Sequence, residues 1–138
     1  GTVLVTAASG LDDSGTETIL LVEDESEVRR VLHQILLGKG YRVIQAESGE
    51  EALAMARMFR GPIHLLLTDV TMPQMKGPEL ATRLVAERPQ TRVLFMSGYN
   101  DESLSAEETI LQKPFAAQTL TQTIRSILDD SVPKTATA

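Results

Sequence analysis

Five side chains carry most of the chemical potential of this 138-residue chain: Glu23, Asp24, Asp69, Ser97 and Lys113. Each ends a short apolar run abruptly. ILLV precedes Glu23 and Asp24, HLLLT precedes Asp69, VLFM precedes Ser97 and ILQ precedes Lys113. Singly, each has an ordinary structural reading. An acidic pair after a strand is commonly a charge pair at a helix N-terminus, and a lone Asp at a strand end is commonly a turn residue. Ser97 with Gly98 reads as a turn, and Lys113 with Pro114 as a surface loop. Together they pose a charge problem. Two carboxylates about 4 Å apart repel by roughly 4 kcal/mol at an effective dielectric near 20. Three such groups must raise a pKa or recruit a cation, and one lysine does not balance them. An oxygen-only donor set suits Mg²⁺ (or Mn²⁺), held by one or two carboxylates and a phosphate oxygen. A metal beside a lysine is also what a transferring phosphoryl group needs. On this chemistry Asp24, supported by Glu23, holds the ion, and Asp69 shares it while acting as a carboxylate nucleophile. Lys113 meets a phosphate oxygen as a point charge, and Ser97 donates a hydrogen bond to another.

Elements able to bring these residues together alternate along the chain. Residues 19–23 read as a buried strand, followed by a helix capped at Ser26 with Val28, Val31, Leu32, Ile35 and Leu36 at helical spacing. Gly38 and Gly40 stop it. Residues 41–46 read as a strand. Ser48 caps a second helix bearing Ala52, Leu53, Ala56 and Phe59, which ends at Gly61 and Pro62. Residues 63–70 give the strongest buried-strand signal. A helix over 78–87, a strand over 92–96, a weak helix near 102–107, a short strand over 109–112 and a last helix with Leu120, Ile124, Ile127 and Leu128 on one face complete the pattern. Strand alternating with helix predicts an α/β fold with a parallel sheet and right-handed crossovers. In such sheets ligands sit at the C-terminal strand ends, where all five residues fall.

Composition closes off other chemistries. The net charge of −6 argues against a nucleic-acid surface and against a polybasic membrane tether. With no cysteine, disulfides, thiolate metal sites and cysteine nucleophiles are excluded. His33 and His64 lie far apart and read as structural or exposed. No apolar run approaches the ~20 residues that span a bilayer, and no secretory signal is expected. Residues 1–17 and 131–138 read as tails, since their composition buries too little apolar surface to offset ordering entropy. The five methionines read as core or loop filler.

The segments ILLVEDE (19–25), LLLTDVTMPQMKG (65–77), VLFMSGY (93–99) and LQKPF (111–115) resemble the receiver domain of two-component response regulators. Four motifs in the right order make the resemblance specific, and it extends over nearly all of 18–130. It implies a doubly wound, flavodoxin-like five-stranded parallel sheet of order 2-1-3-4-5, with helices on both faces. It makes Asp69 the phosphoacceptor for a kinase phosphohistidine, in a domain that assists its own phosphorylation and dephosphorylation. Glu23 and Asp24 become the acidic pair for the divalent cation, and the backbone carbonyl of Thr71 a further metal ligand. Ser97 becomes the switch hydroxyl, Lys113 a phosphate ligand, and Pro114 the residue after a cis peptide. A cytoplasmic location and a histidine kinase or histidine phosphotransfer protein as partner are implied too.

One departure stands out. Family members usually carry Tyr or Phe three residues before the lysine, where this chain has Ile110. A small response around β-strand 109–112, with partner docking on the first helix, is therefore expected. Tyr99 is expected near the site. The wording of 15–25 and 94–99 resembles receivers that follow a histidine kinase core, which favours a hybrid sensor kinase. A stand-alone single-domain regulator and a phosphate-independent interaction module of the same fold are the alternatives. A phosphatase of the haloacid-dehalogenase type would want a second Asp two residues after the nucleophile, where Thr71 stands.

Overall fold

The computed structural model describes residues 13–98 and 109–130. Its strands are β1 (Thr18–Val22), β2 (Arg42–Ala46), β3 (Leu65–Asp69), β4 (Arg92–Ser97) and β5 (Ile110–Gln112). Its helices are α1 (Ser26–Gly38), α2 (Gly49–Met58), α3 (Gly77–Glu87) and α4 (Ala117–Asp129). All strand pairs are parallel, as the alternation predicts, in the order β2-β1-β3-β4-β5 that the family resemblance implies. The expected helix near 102–107 and Tyr99 lie outside the described residues.

The period-two alternation of β1 and β3 splits the core into two layers. Leu20, Val22, Leu66 and Phe95 face Ala52, Leu53 and Ala56 of α2 and Leu80, Ala81 and Leu84 of α3. Ile19, Leu21, Leu65, Leu67, Leu94 and Met96 face Leu32 and Leu36 of α1 and Leu120 and Ile124 of α4. With helices on both faces, β1 and β3 are buried at every position. This explains why these strands read as continuous apolar runs rather than alternating ones. Met72, Met75 and Met96 are buried, whereas Met58 is 82% exposed and fills no core.

Two helix starts contrast. Ser48 caps α2 as expected, its hydroxyl accepting from the Glu51 N–H at 3.0 Å. Ser26 does not cap α1. The cap is Glu25, one residue earlier, because the Glu25 carbonyl already accepts the Arg29 N–H at 2.9 Å. The Glu25 N–H turns back to Glu23 Oε2 at 3.2 Å, so the acidic turn itself leads into the helix.

Before β1, residues 13–17 run along the domain rather than away from it, held by polar contacts to Lys39 just past α1, to Tyr41 and to α4. Glu17 forms an ion pair with Arg125 at 2.6 Å. The Arg125 hydrogen bond holds the Glu17 carboxyl below its ordinary value, against the upward pull of burial. A depressed folded-state pKa adds stability that is present above the ordinary value of 4.5 and lost as pH falls through the depressed one. Arg125→Gln is expected to lower the urea midpoint near neutral pH and to flatten its decline at acid pH. An acid decline identical to that of the parent chain contradicts this assignment.

Candidate functional site

Register alone brings the chemistry to one edge. Asp69 lies opposite Met96 and Ser97 opposite Gln112, so β3, β4 and β5 end within a residue of each other. Glu23 and Asp24 leave the adjacent end of β1, where the Glu23 N–H donates to the Ala46 carbonyl at 3.2 Å. The Val70 N–H donates to the Met96 carbonyl at 3.0 Å, and the Lys113 N–H to the Ser97 carbonyl at 2.8 Å. These bonds extend the ladder one residue past each strand and fix the backbone from which the side chains project.

At this edge Lys113 Nζ stands 2.7 Å from Asp69 Oδ1 and 3.1 Å from Glu23 Oε1. Glu23, Asp24 and Asp69 each offer a carboxylate oxygen, and the three lie within 4.8 Å of one another. Glu23 and Asp69 are buried and Asp24 is exposed, so the cluster opens to solvent on the Asp24 side. Burial, then the hydrogen bond and charge of Asp69, push the Glu23 carboxyl up to about 7. Burial pulls the Lys113 ammonium down, but Asp69 and Glu23 outweigh it and raise the pKa. The sheet edge thus stores an excess of negative charge that one lysine only partly offsets. The Lys113–Pro114 peptide is cis.

Ser97 reaches the same edge, with its hydroxyl donating to the Gly98 carbonyl at 2.7 Å. Thr71, itself exposed, lies two residues beyond Asp69 in the loop after β3. Ile110 sits on β5 with 41% of its surface exposed. His64 is structural, its Nδ1 accepting the Thr18 N–H at 2.9 Å.

Two residues at this edge have roles that the sequence reading misses, Gly77 reading only as loop punctuation. Arg29, one turn into α1, donates from Nη1 to the Glu23 carbonyl at 2.7 Å and ties the acidic turn to the helix. Gly77, the first residue of α3, packs its Cα against the Asp69–Val70 peptide, and its N–H donates to the Val70 carbonyl at 2.8 Å. A Cβ there would fall on the Asp69 carbonyl oxygen. The only signal in the sequence was a cation at helical distance from the acids and a glycine just before Pro78.

A doubly wound parallel sheet with an acidic cluster and a lysine at its C-terminal edge defines the class. The comparisons with known proteins name the family: residues 19–125 match the response regulator receiver domain model, and the chain belongs to that family. It is a receiver domain of two-component signalling. It is 36% identical over 124 residues to the sensor kinase CckA of Brucella abortus, a match covering 86% of this chain but 13% of that protein. It is 35% identical to the response regulator receiver protein CpdR of the same organism, covering 80% of this chain and 95% of that one. Among solved structures, the receiver domain of the hybrid histidine kinase CckA aligns at a TM-score of 0.72 and 38% identity, over 81% of this chain and 99% of that one. A receiver domain protein from Clostridium thermocellum aligns at 0.75 and 25% identity, over 82% and 94%.

Two outcomes test the site's physics without any ligand. Glu23 titrates higher in the folded chain than its ordinary 4.5, so its contribution to stability is full below that value and is lost as pH rises through about 7. In chelator-containing buffer, Glu23→Gln is expected to flatten the stability decline over this range, and an unchanged slope removes Glu23 as its source. Gly77→Ala forces a methyl onto the Asp69 carbonyl and is expected to cost about 1–3 kcal/mol, as overpacking does. It should also shift the Asp69 and Val70 amide resonances. Unchanged melting and spectra contradict the close approach.

Proposed function

We propose that this chain accepts a phosphoryl group on Asp69 from a phosphohistidine of a partner kinase or phosphotransfer protein, in a divalent-cation-dependent step. The observation that carries this reading is Lys113 Nζ placed between Asp69 and Glu23, at 2.7 and 3.1 Å, with Asp24 completing the acidic cluster. An oxygen of the Asp69 carboxylate attacks phosphorus, the P–O bond forms as the P–N bond breaks, and the leaving imidazole keeps the electron pair and is protonated. Lys113 orients the carboxylate and offers its ammonium to a phosphoryl oxygen. Ser97, engaged with Gly98 at the end of β4, would turn its hydroxyl toward the new phosphoryl group.

The donor set fits Mg²⁺ or Mn²⁺. It is all oxygen, with no thiol in the chain and no imidazole in the cluster. Glu23, Asp24, Asp69 and the Thr71 backbone carbonyl would hold the ion. When bound, it supplies charge neutralisation at the transferring phosphoryl group.

We take 18–130 as the receiver domain, with 1–17 as a linker or tail and 131–138 as a C-terminal tail, acting in the cytoplasm. The likeness to the CckA kinase favours a place in a hybrid sensor histidine kinase, relaying phosphate to a histidine phosphotransfer protein. The match covering 95% of CpdR favours the second reading, a stand-alone regulator. With Ile110 in place of an aromatic residue, α1 is the docking surface.

Acetyl phosphate with Mg²⁺ is expected to label the parent chain and not Asp69→Asn, and chelator is expected to abolish the label. Labelling that survives Asp69→Asn rejects Asp69 as the acceptor. No labelling of the parent, with beryllofluoride and Mg²⁺ leaving its spectrum unchanged, favours a phosphate-independent interaction module.

A further inference from the structure

The segment before β1 occupies a groove built to hold it. Asp13 accepts from Lys39 Nζ at 2.5 Å and from Thr121 Oγ1 at 2.6 Å, and the Asp13 carbonyl accepts from the Tyr41 hydroxyl at 3.4 Å. The Ser14 carbonyl accepts from Arg125 Nη1 at 2.8 Å, and the Gly15 N–H donates to the Lys39 carbonyl at 2.9 Å. The Glu17 carboxylate takes two Arg125 hydrogen bonds, at 2.6 and 3.1 Å, and its carbonyl accepts the Arg42 N–H at 3.0 Å. The fit is tight at two glycines. Gly40 has φ +99°, and a Cβ on it would lie 2.5 Å from the Gly15 carbonyl oxygen. A Cβ on Gly15 would strike Arg125, Glu17 and the Tyr41 ring.

No apolar side chain takes part from within the segment, whose sequence is DSGTE. It is held by partly buried ion pairs and hydrogen bonds rather than by apolar side chains of its own. The strand it leads into is different, with Ile19 to Val22 at 0% exposure. Sub-global opening is easiest where polar contacts replace apolar burial.

We propose that residues 13–17 form a releasable polar strap. Docked, it holds the incoming polypeptide against α1 and α4 at the pole opposite the acidic cluster, roughly 20 Å away along β1. Released, it frees that polypeptide and removes the hold on Thr121 and Arg125 of α4, the helix that follows the Lys113 loop. The sheet stays folded in both states. Orientation of whatever precedes the domain is thereby set by a contact that can open on its own.

Amide hydrogen exchange on the full chain tests this. In the parent, the Gly15 amide is expected to exchange about 10–100-fold more slowly than in a free peptide, well short of the Leu20 and Leu66 amides. Sodium chloride near 1 M, where the Debye length falls to about 3 Å, is expected to speed Gly15 exchange by about 3-fold or more. Arg125→Gln and Asp13→Asn should each do the same, with Leu20 and Leu66 still protected. Free-peptide exchange of Gly15 in the parent overturns the strap. Gly15 exchange that tracks Leu20 under every condition overturns its release. If Arg125→Gln also exposes the core amides, Asp13→Asn and salt decide, since neither removes a helix residue.

Discussion

Crowding of negative charge at one end of a parallel sheet is the constraint on which this structure turns. Two buried carboxylates, Glu23 and Asp69, share a single ammonium, and a third carboxylate stands at the mouth. Such a cluster is unfavourable to build, so the surrounding fold must impose it. The imposition comes from buried strands on both sides of it. With every residue of β1 and β3 inside, the acids cannot withdraw without dragging apolar side chains into water. Hydrophobic burial along the strands therefore supplies the free energy that holds the charges together.

The same constraint shapes the local backbone. The turn after β1 folds its own amide onto Glu23, and Arg29 grips the Glu23 carbonyl from α1. The loop after β3 returns so closely that only glycine fits at 77 against the Asp69 peptide. Thr68, fully buried, donates to the Asp69 carbonyl at 3.0 Å. The Arg29, Gly77 and Thr68 contacts fix main-chain atoms next to an acid, whereas the Glu25 N–H bonds the Glu23 carboxylate itself and Lys113 bonds both it and that of Asp69.

The opposite pole follows other physics. There the contacts are polar, partly exposed and centred on Arg125, whose pKa is raised by Glu17 and Asp129 against the pull of burial. The buried strands run between the two poles, the acidic one held by main-chain contacts and Lys113, the other by ion pairs and hydrogen bonds to Arg125 and Lys39.

Much of this was legible from the residues. The apolar runs of β1 and β3, the Ser48 cap and the breaks at Gly40 and Pro62 are local signals, and they fixed the element order. The acidic pair, Asp69, Ser97 and Lys113 were legible because each breaks an apolar run at its end, and parallel strands carry such ends to one edge. Distance in space was not legible. That Lys113 bonds both Glu23 and Asp69, that Asp24 alone of the acids faces solvent, and that Ser97 turns to Gly98 depend on register and side-chain choice across four strands. Arg29 and Gly77 act on backbone atoms of the nearby Glu23, Asp69 and Val70 across a turn and a loop whose path no periodicity reports. Residues 13–17 looked like a tail because composition measures apolar burial, and their partners, Lys39, Tyr41, Thr121 and Arg125, come together only once the chain has folded.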